Sequence, residues 1–303
     1  MSLKFCYSLI LFLFLLLSTA VAQNQKYYNF INEQYNHFGD WEETGDVEKV
    51  VNSIKYINLD DERLLLIYSK EDDKVILKLN NYEIGKVDLT CFHFVDFNKD
   101  GFNDLIITFN RPIIGESEYA FFLLSEKTSD KNSYYYQYFT IKGNIVYCDL
   151  KSNSDIFKFT IIEYGCCDNP NNYLIDYQIE KSKYKPYLVT TNKELFIYGT
   201  KFPYSFYRKY INAKFIKGSS LRLIPNIAES IIYSDIEKVD NTIAILNEGT
   251  TGLILSDSTD IYERTWYFVK VLSSLKPLRN NFELFDDKYS YYLGWILKEE
   301  VIK

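Results

Sequence analysis

The densest chemistry in the chain lies in one short loop between two apolar runs, Asp96-x-Asn98-x-Asp100-Gly101-x-x-Asp104. Carboxylates crowded this closely repel one another unless protons or a cation neutralise them. A hard cation suits the spacing, because Ca2+ takes roughly six to eight oxygen ligands and tolerates irregular geometry. Gly101 falls at the sixth loop position, where the sharp turn is easiest without a Cβ. The expected ligands are the side chains of Asp96, Asn98, Asp100 and Asp104 and the carbonyl of Phe102. The competing reading is a hairpin turn that binds nothing, since Asn, Asp and Gly also favour turns for backbone reasons.

The elements that position this loop are expected to be strands. Ile107 stands at the twelfth position, where a helix–loop–helix calcium site has a bidentate Glu. Leu105-Ile106-Ile107-Thr108-Phe109 is rich in β-branched and aromatic residues, and Phe92, Phe94 and Val95 precede the loop, so the pattern predicts strand–loop–strand. The loop resembles the DxNxDGxxD loops of secreted β-proteins, among them integrin-type propeller repeats and a family of bacterial periplasmic lysozyme-inhibitor-like proteins. That resemblance covers the hairpin alone. Through the second family it implies an alternative function, inhibition of a lysozyme-like wall hydrolase.

Residues 1–22 read as a signal peptide. Lys4 supplies the positive start, Leu9 to Leu17 is an apolar run too short to span a bilayer, and Ala20-Val21-Ala22 is a cleavage signal. No Cys follows the cleavage site to take a lipid, and no later segment reaches membrane-spanning length, so an exported protein, periplasmic or secreted, without a transmembrane anchor is expected. The chain carries 34 Lys and Arg against 41 Asp and Glu, a net charge of −7, and removal of Lys4 makes it more negative. Such a balance argues against a nucleic-acid partner, which needs clustered Lys and Arg. Cys91, Cys148, Cys166 and Cys167 are disulfide candidates in an oxidising compartment. Their connectivity is open.

Strand-like segments follow one another along the chain: Val50–Ile57, Arg63–Tyr68, Lys74–Leu79, the loop hairpin, Tyr119–Leu124, Tyr134–Ile141, Ile145–Leu150, Ile156–Glu163, Tyr173–Glu180, Pro186–Thr190 and Glu194–Tyr198. Turn clusters separate them, and the one helix expected is a short one over Tyr27 to His37. This predicts an all-β chain, with an antiparallel sandwich or barrel-like domain over 23–212. No second copy of the Asp96–Asp104 loop is evident, which argues against a propeller.

Lys214-Phe215-Ile216-Lys217-Gly218-Ser219-Ser220 reads as a linker. Residues 213–303 are assigned to a second domain, which resembles a bacterial SH3 domain. The match is carried by Leu221-Arg222-Leu223-Ile224-Pro225, Ala244-Ile245-Leu246-Asn247-Glu248-Gly249, Gly252-Leu253-Ile254-Leu255, Trp266-Tyr267-Phe268-Val269-Lys270-Val271 and Gly294-Trp295-Ile296. Ile224 before the proline and the long insertion over 272–290 depart from the family pattern beside the ligand groove. The resemblance implies a small barrel that recognises a peptide, from peptidoglycan or a protein partner, in a groove with Trp295, Tyr291, Tyr292 and Trp266 as candidates. Core packing is the alternative, weighed most for Trp266, and Trp295 is the better groove candidate.

Catalytic groups are sparse. His37 and His93 are the only histidines. Cys91 and His93 share one strand face, but their alternating neighbours read as core. The acidic pairs Asp60-Asp61, Asp72-Asp73 and Asp286-Asp287 fall in turns, where solvated charge is the ordinary meaning. Neither HExxH, nor a P-loop, nor GxSxG is present. The expectation is a binding protein, not an enzyme.

Overall fold

The computed structural model describes residues 26–27, 48, 51–52, 54–59, 62–88, 92–98, 100–110, 118–126, 133–148, 156–165, 171–180, 187–228, 230–234, 237–272, 279–280 and 290–302. The signal segment 1–22 lies outside them, as does the expected helix Tyr27–His37 apart from Tyr27. The described chain is all-β, as the strand series predicts. It forms two compact units, Tyr35–Glu163 with Asp176–Thr191, and Met1–Gln34 with Tyr164–Ile175 and Asn192–Lys303. This division differs from the single boundary expected at 212/213.

In the first unit, β1 (Ile54–Leu59), β2 (Glu62–Ser69), β3 (Lys74–Leu79), β4 (Tyr82–Asp88), β5 (Phe92–Val95), β6 (Asp104–Asn110), β7 (Glu118–Glu126) and β8 (Ser133–Lys142) form one sheet. Its order is β4-β3-β2-β1-β8-β7-β6-β5. Two antiparallel four-stranded meanders therefore meet along a single parallel pair, β1 with β8, with Ile57 opposite Tyr135. β9 (Asn144–Cys148) and β10 (Ile156–Glu163) follow as an antiparallel pair.

The central strands are buried on both faces. Leu105, Ile107, Phe121 and Leu123 join a core with Ile57, Leu64 and Leu77. Ile106, Phe122 and Leu124 face a different cluster containing Phe97, Phe157 and Phe159. Burial on both sides explains why β6 carries the consecutive apolar residues Leu105-Ile106-Ile107 in place of an apolar–polar alternation.

β11 (Asn171–Glu180) and β12 (Tyr187–Ile197) each contribute residues to both units. The second unit continues with β13 (Ile211–Phe215), β14 (Ser220–Arg222), β15 (Ser230–Ser234), β16 (Glu237–Asp240), β17 (Thr242–Ile245), β18 (Thr251–Thr259), β19 (Thr265–Leu272), β20 (Arg279–Asn280), β21 (Ser290–Leu297) and β22 (Val301–Ile302). Here β18, β19 and β21 form an antiparallel meander. A 3-10 turn over Lys298–Glu300 leads into β22, which pairs with β13, and β13 pairs with β18. β14 pairs with β17 and touches β21 at Trp295. The core of this unit gathers Phe215, Leu221, Leu223, Ile243, Ile254, Val269, Val271 and Ile296.

The expected linker over 214–220 is corrected by this arrangement. Phe215 and Ser219 are buried. The Ser219 hydroxyl donates to the carbonyls of Ile216 at 2.7 Å and Glu300 at 3.2 Å, and the Gly218 N–H donates to the Leu246 carbonyl at 3.0 Å. Small polar residues here satisfy backbone groups inside the fold. No helix among the described residues is long and apolar enough to cross a membrane.

Candidate functional site

β5 and β6 present the acidic loop as a hairpin, with Val95 opposite Asp104. Phe97 anchors the loop from below. Its ring is buried, meeting Phe122 edge-on at 5.6 Å and lying 6.5 Å from Phe157. The polar side chains then fold over the loop's own backbone. Asp96 accepts from the N–H groups of Asp100 at 2.9 Å and Gly101 at 2.8 Å. Asn98 Oδ1 accepts from Asp100 N–H, and Asp100 Oδ1 from Phe102 N–H, each at 2.9 Å. Gly101 has φ +93°, a conformation L side chains rarely adopt, which accounts for the glycine there.

Asp104 differs from its three neighbours. It is 0 % exposed, and its Oδ1 accepts from Ser125 N–H at 3.0 Å on the adjoining strand. Its Oδ2 is buried and accepts no hydrogen bond from any described residue. Burial pushes its carboxyl up to about 7, against the backbone N–H groups of Ser125 and Asn98, which pull it down; the charges of Asp100 and Asp96 raise it further. A buried carboxylate oxygen without a donor is costly.

The loop answers the expected ligand set in part. Asp96, Asn98, Asp100 and Phe102 line one loop beside Asp104, but the side chains cap backbone N–H groups. No group of three or more His, Cys, Asp or Glu among the described residues is arranged to hold a metal ion. The donor set still fits a hard cation on one count. A carboxylate offers about four lone-pair sites, so bonds to one or two N–H groups leave capacity for an ion. Asp104 Oδ2, which accepts from no described residue, would have the same capacity.

Trp295, the favoured groove candidate, is corrected to core, and Trp266 takes the core alternative. Trp266 and Trp295 are each 1 % exposed. Trp266 Nε1 donates to Asp260 Oδ2 at 3.0 Å. Trp295 Nε1 donates to the Lys201 carbonyl, and its ring meets Phe268 at 5.2 Å. Gly294 serves the same packing. A Cβ there would meet the Arg222 carbonyl at 2.8 Å, so the residue lets β14 approach β21. Tyr291 and Tyr292 are half-buried, and Tyr292 packs on the core of the unit.

A buried carboxylate that the sequence did not announce sits on β12. Glu194 is 1 % exposed. It accepts from Lys26 Nζ at 3.1 Å, Tyr27 Oη at 2.7 Å, Asn192 Nδ2 at 2.9 Å and Lys270 Nζ at 2.7 Å. Burial alone would raise its carboxyl. Lys26 and Lys270 overcome this and hold it well below the usual range. A lone Glu in a β-segment has no motif; only the fold brings its partners, separated by up to 168 positions, into reach.

Of the disulfide candidates, Cys148 is buried on β9, whereas Cys91, Cys166 and Cys167 lie outside the described residues. His93 occupies β5 opposite Ile106; its side chain, like Cys91 and His37, lies outside them too. Asp72 ion-pairs with Lys86 in the β2–β3 turn region, a solvated charge as expected. Comparison with protein-family models, with curated proteins and with solved structures gives no match to the chain.

Proposed function

We propose that this chain is an exported, non-catalytic binding protein, with one structural Ca2+ in its first unit and an SH3-like barrel in its second that recognises a cell-wall or protein peptide. The observation that carries the calcium part is Asp104 Oδ2, a buried carboxylate oxygen that accepts from no described residue, next to Asp96, Asn98 and Asp100. Ca2+ held by Asp96, Asn98, Asp100, the Phe102 carbonyl and Asp104 would supply positive charge beside the three carboxylates of the loop. The chain's own residues do the positioning: Phe97 plugs the loop into the core, and Ser125 fixes one oxygen of Asp104.

The SH3-type reading is supported by where its landmarks fall. Leu221-Arg222, Ala244-Ile245, Gly252–Leu255, Trp266–Val271 and Gly294–Ile296 lie on β14, β17, β18, β19 and β21, strands of one compact unit. These strands pair β14 with β17 and β21, and β19 with β18 and β21. Signal-type residues 1–22 support export.

Thermal melts with and without chelator test the calcium site. Chelation lowers the melting temperature of wild type, and Asp96→Ala and Asp100→Ala remove the difference; an unchanged wild-type melt leaves an Asx-rich turn and defeats the proposal. Pull-down on purified peptidoglycan tests the partner. Retention supports wall binding, while no retention together with stoichiometric loss of lysozyme activity points to the inhibitor function.

A further inference from the structure

In the second unit, side chains alternate between two faces of the sheet β22-β13-β18-β19-β21. Ala213, Phe215, Ile254, Val269 and Val271 enter the core. Their neighbours Lys214, Leu253, Lys270 and Leu272, with Tyr291 and Ile302, line a cavity of about 610 Å³ on the other face. That volume falls within the roughly 300–1,000 Å³ of small-molecule sites. The walls are largely apolar, and Leu272 and Ile302 leave much of their surface exposed at its edge.

The charge around this cavity runs against that of the chain. Lys214 and Lys270 line it, and no Asp or Glu is among its described lining residues, in a protein of net charge −7. Lys270 is fixed in place. Its ammonium donates to Glu194 at 2.7 Å and Asn192 at 3.2 Å and lies 4.0 Å from the centroid of the Tyr291 ring. Glu194 also binds Lys26, so one carboxylate serves two ammonium groups and the knot behind the cavity keeps a net positive charge. Apolar walls with a surplus of fixed cation favour a ligand with an apolar body and an anionic head.

The geometry points to a small-molecule site for an amphipathic anion, its apolar body against Leu253, Leu272 and Ile302 and its anionic head at Lys214 and Lys270. The site is independent of the calcium and SH3-type readings, and its test gives the same answer with chelator present.

The probe is 8-anilinonaphthalene-1-sulfonate, an aromatic body with an anionic head, titrated into the folded chain by fluorescence. The expected result is saturable binding of one probe per chain, displaced by dodecanoate but not by dodecyltrimethylammonium. Lys214→Glu, an exposed change, weakens the probe by on the order of tenfold, and Leu272→Glu at the cavity edge does likewise, with near-UV circular dichroism unchanged in both. Absence of saturable binding, equal displacement by the cationic amphiphile, or unaltered affinity in both natively folded variants overturns the site. So does one probe per two chains with a dimeric mass by light scattering, which would mean that a second copy covers this face.

Discussion

Two buried carboxylates, one in each unit, meet opposite fates. Glu194 is enclosed by Lys26, Lys270, Tyr27 and Asn192 and is held ionised despite its burial. Asp104 is equally enclosed, yet among the described residues it has donors for one oxygen only and its carboxyl is pushed up to about 7. Desolvation is the largest influence on both; the difference lies in whether a lysine stands among the described residues that contact the carboxylate. The Asp260 turn repeats the Glu194 solution nearer the surface, with Arg264 Nε at 2.7 Å and Trp266 Nε1 at 3.0 Å on one oxygen. A carboxylate that recruits a lysine or arginine from the chain has no use for an ion from solution; at Asp104 the proposed ion would supply what its described neighbours do not.

The contrast is broken most severely at Glu194. Glu194→Gln leaves two lysines facing a neutral amide, and loss of a buried ionic partner costs about 3–5 kcal/mol. Urea unfolding should show a fall of that size, the same with Ca2+ or chelator.

Next in size comes pH. The folded-state value of Asp104 lies above its unfolded one, so its contribution to stability is complete below about pH 4 and lost as pH rises through about 7. Without metal, wild type should lose on the order of 4 kcal/mol across that window relative to Asp104→Asn. Parallel curves for the two proteins would show that Asp104 is ordinary.

Calcium sharpens the comparison from the other side. At about a hundredfold excess over Kd it should stabilise wild type by about 2.7 kcal/mol, read as a rise in melting temperature, with no rise in Asp104→Asn. The smallest effect is expected of Gly101→Ala. A Cβ there meets open space, but φ +93° strains it, at a cost of about 1 kcal/mol by denaturant unfolding.

Periodicity made most strands legible, and its failures have physical causes. β4 escaped notice because Tyr82-Glu83-Ile84-Gly85-Lys86 lies on an edge strand, where Tyr82, Glu83 and Lys86 are exposed and Ile84 and Gly85 are only half-buried. Asn192-Lys193 reads as a break, yet β12 runs through it, because Asn192 and Lys193 are half-buried within the strand. The acidic loop was visible because its oxygens are consecutive in sequence. Glu194 and the cavity were not, since their partners come from β12, β13, β18, β19, β21 and β22 and meet only in three dimensions. Trp295 misled for a related reason. An aromatic beside a glycine suggests a binding surface, but Gly294 clears room for a strand crossing and the indole goes inside.

The parallel seam of the first unit bears on how the protein is made. Each meander closes between neighbours in sequence, so β1–β4 can assemble early, whereas Tyr56 finds Tyr134 only after most of that unit has been synthesised. Until then β1 shows an unpaired flank, the kind of edge that invites wrong partners. The interval before β8 arrives is one in which that flank stands open, and a chaperone that shields β1 would act then.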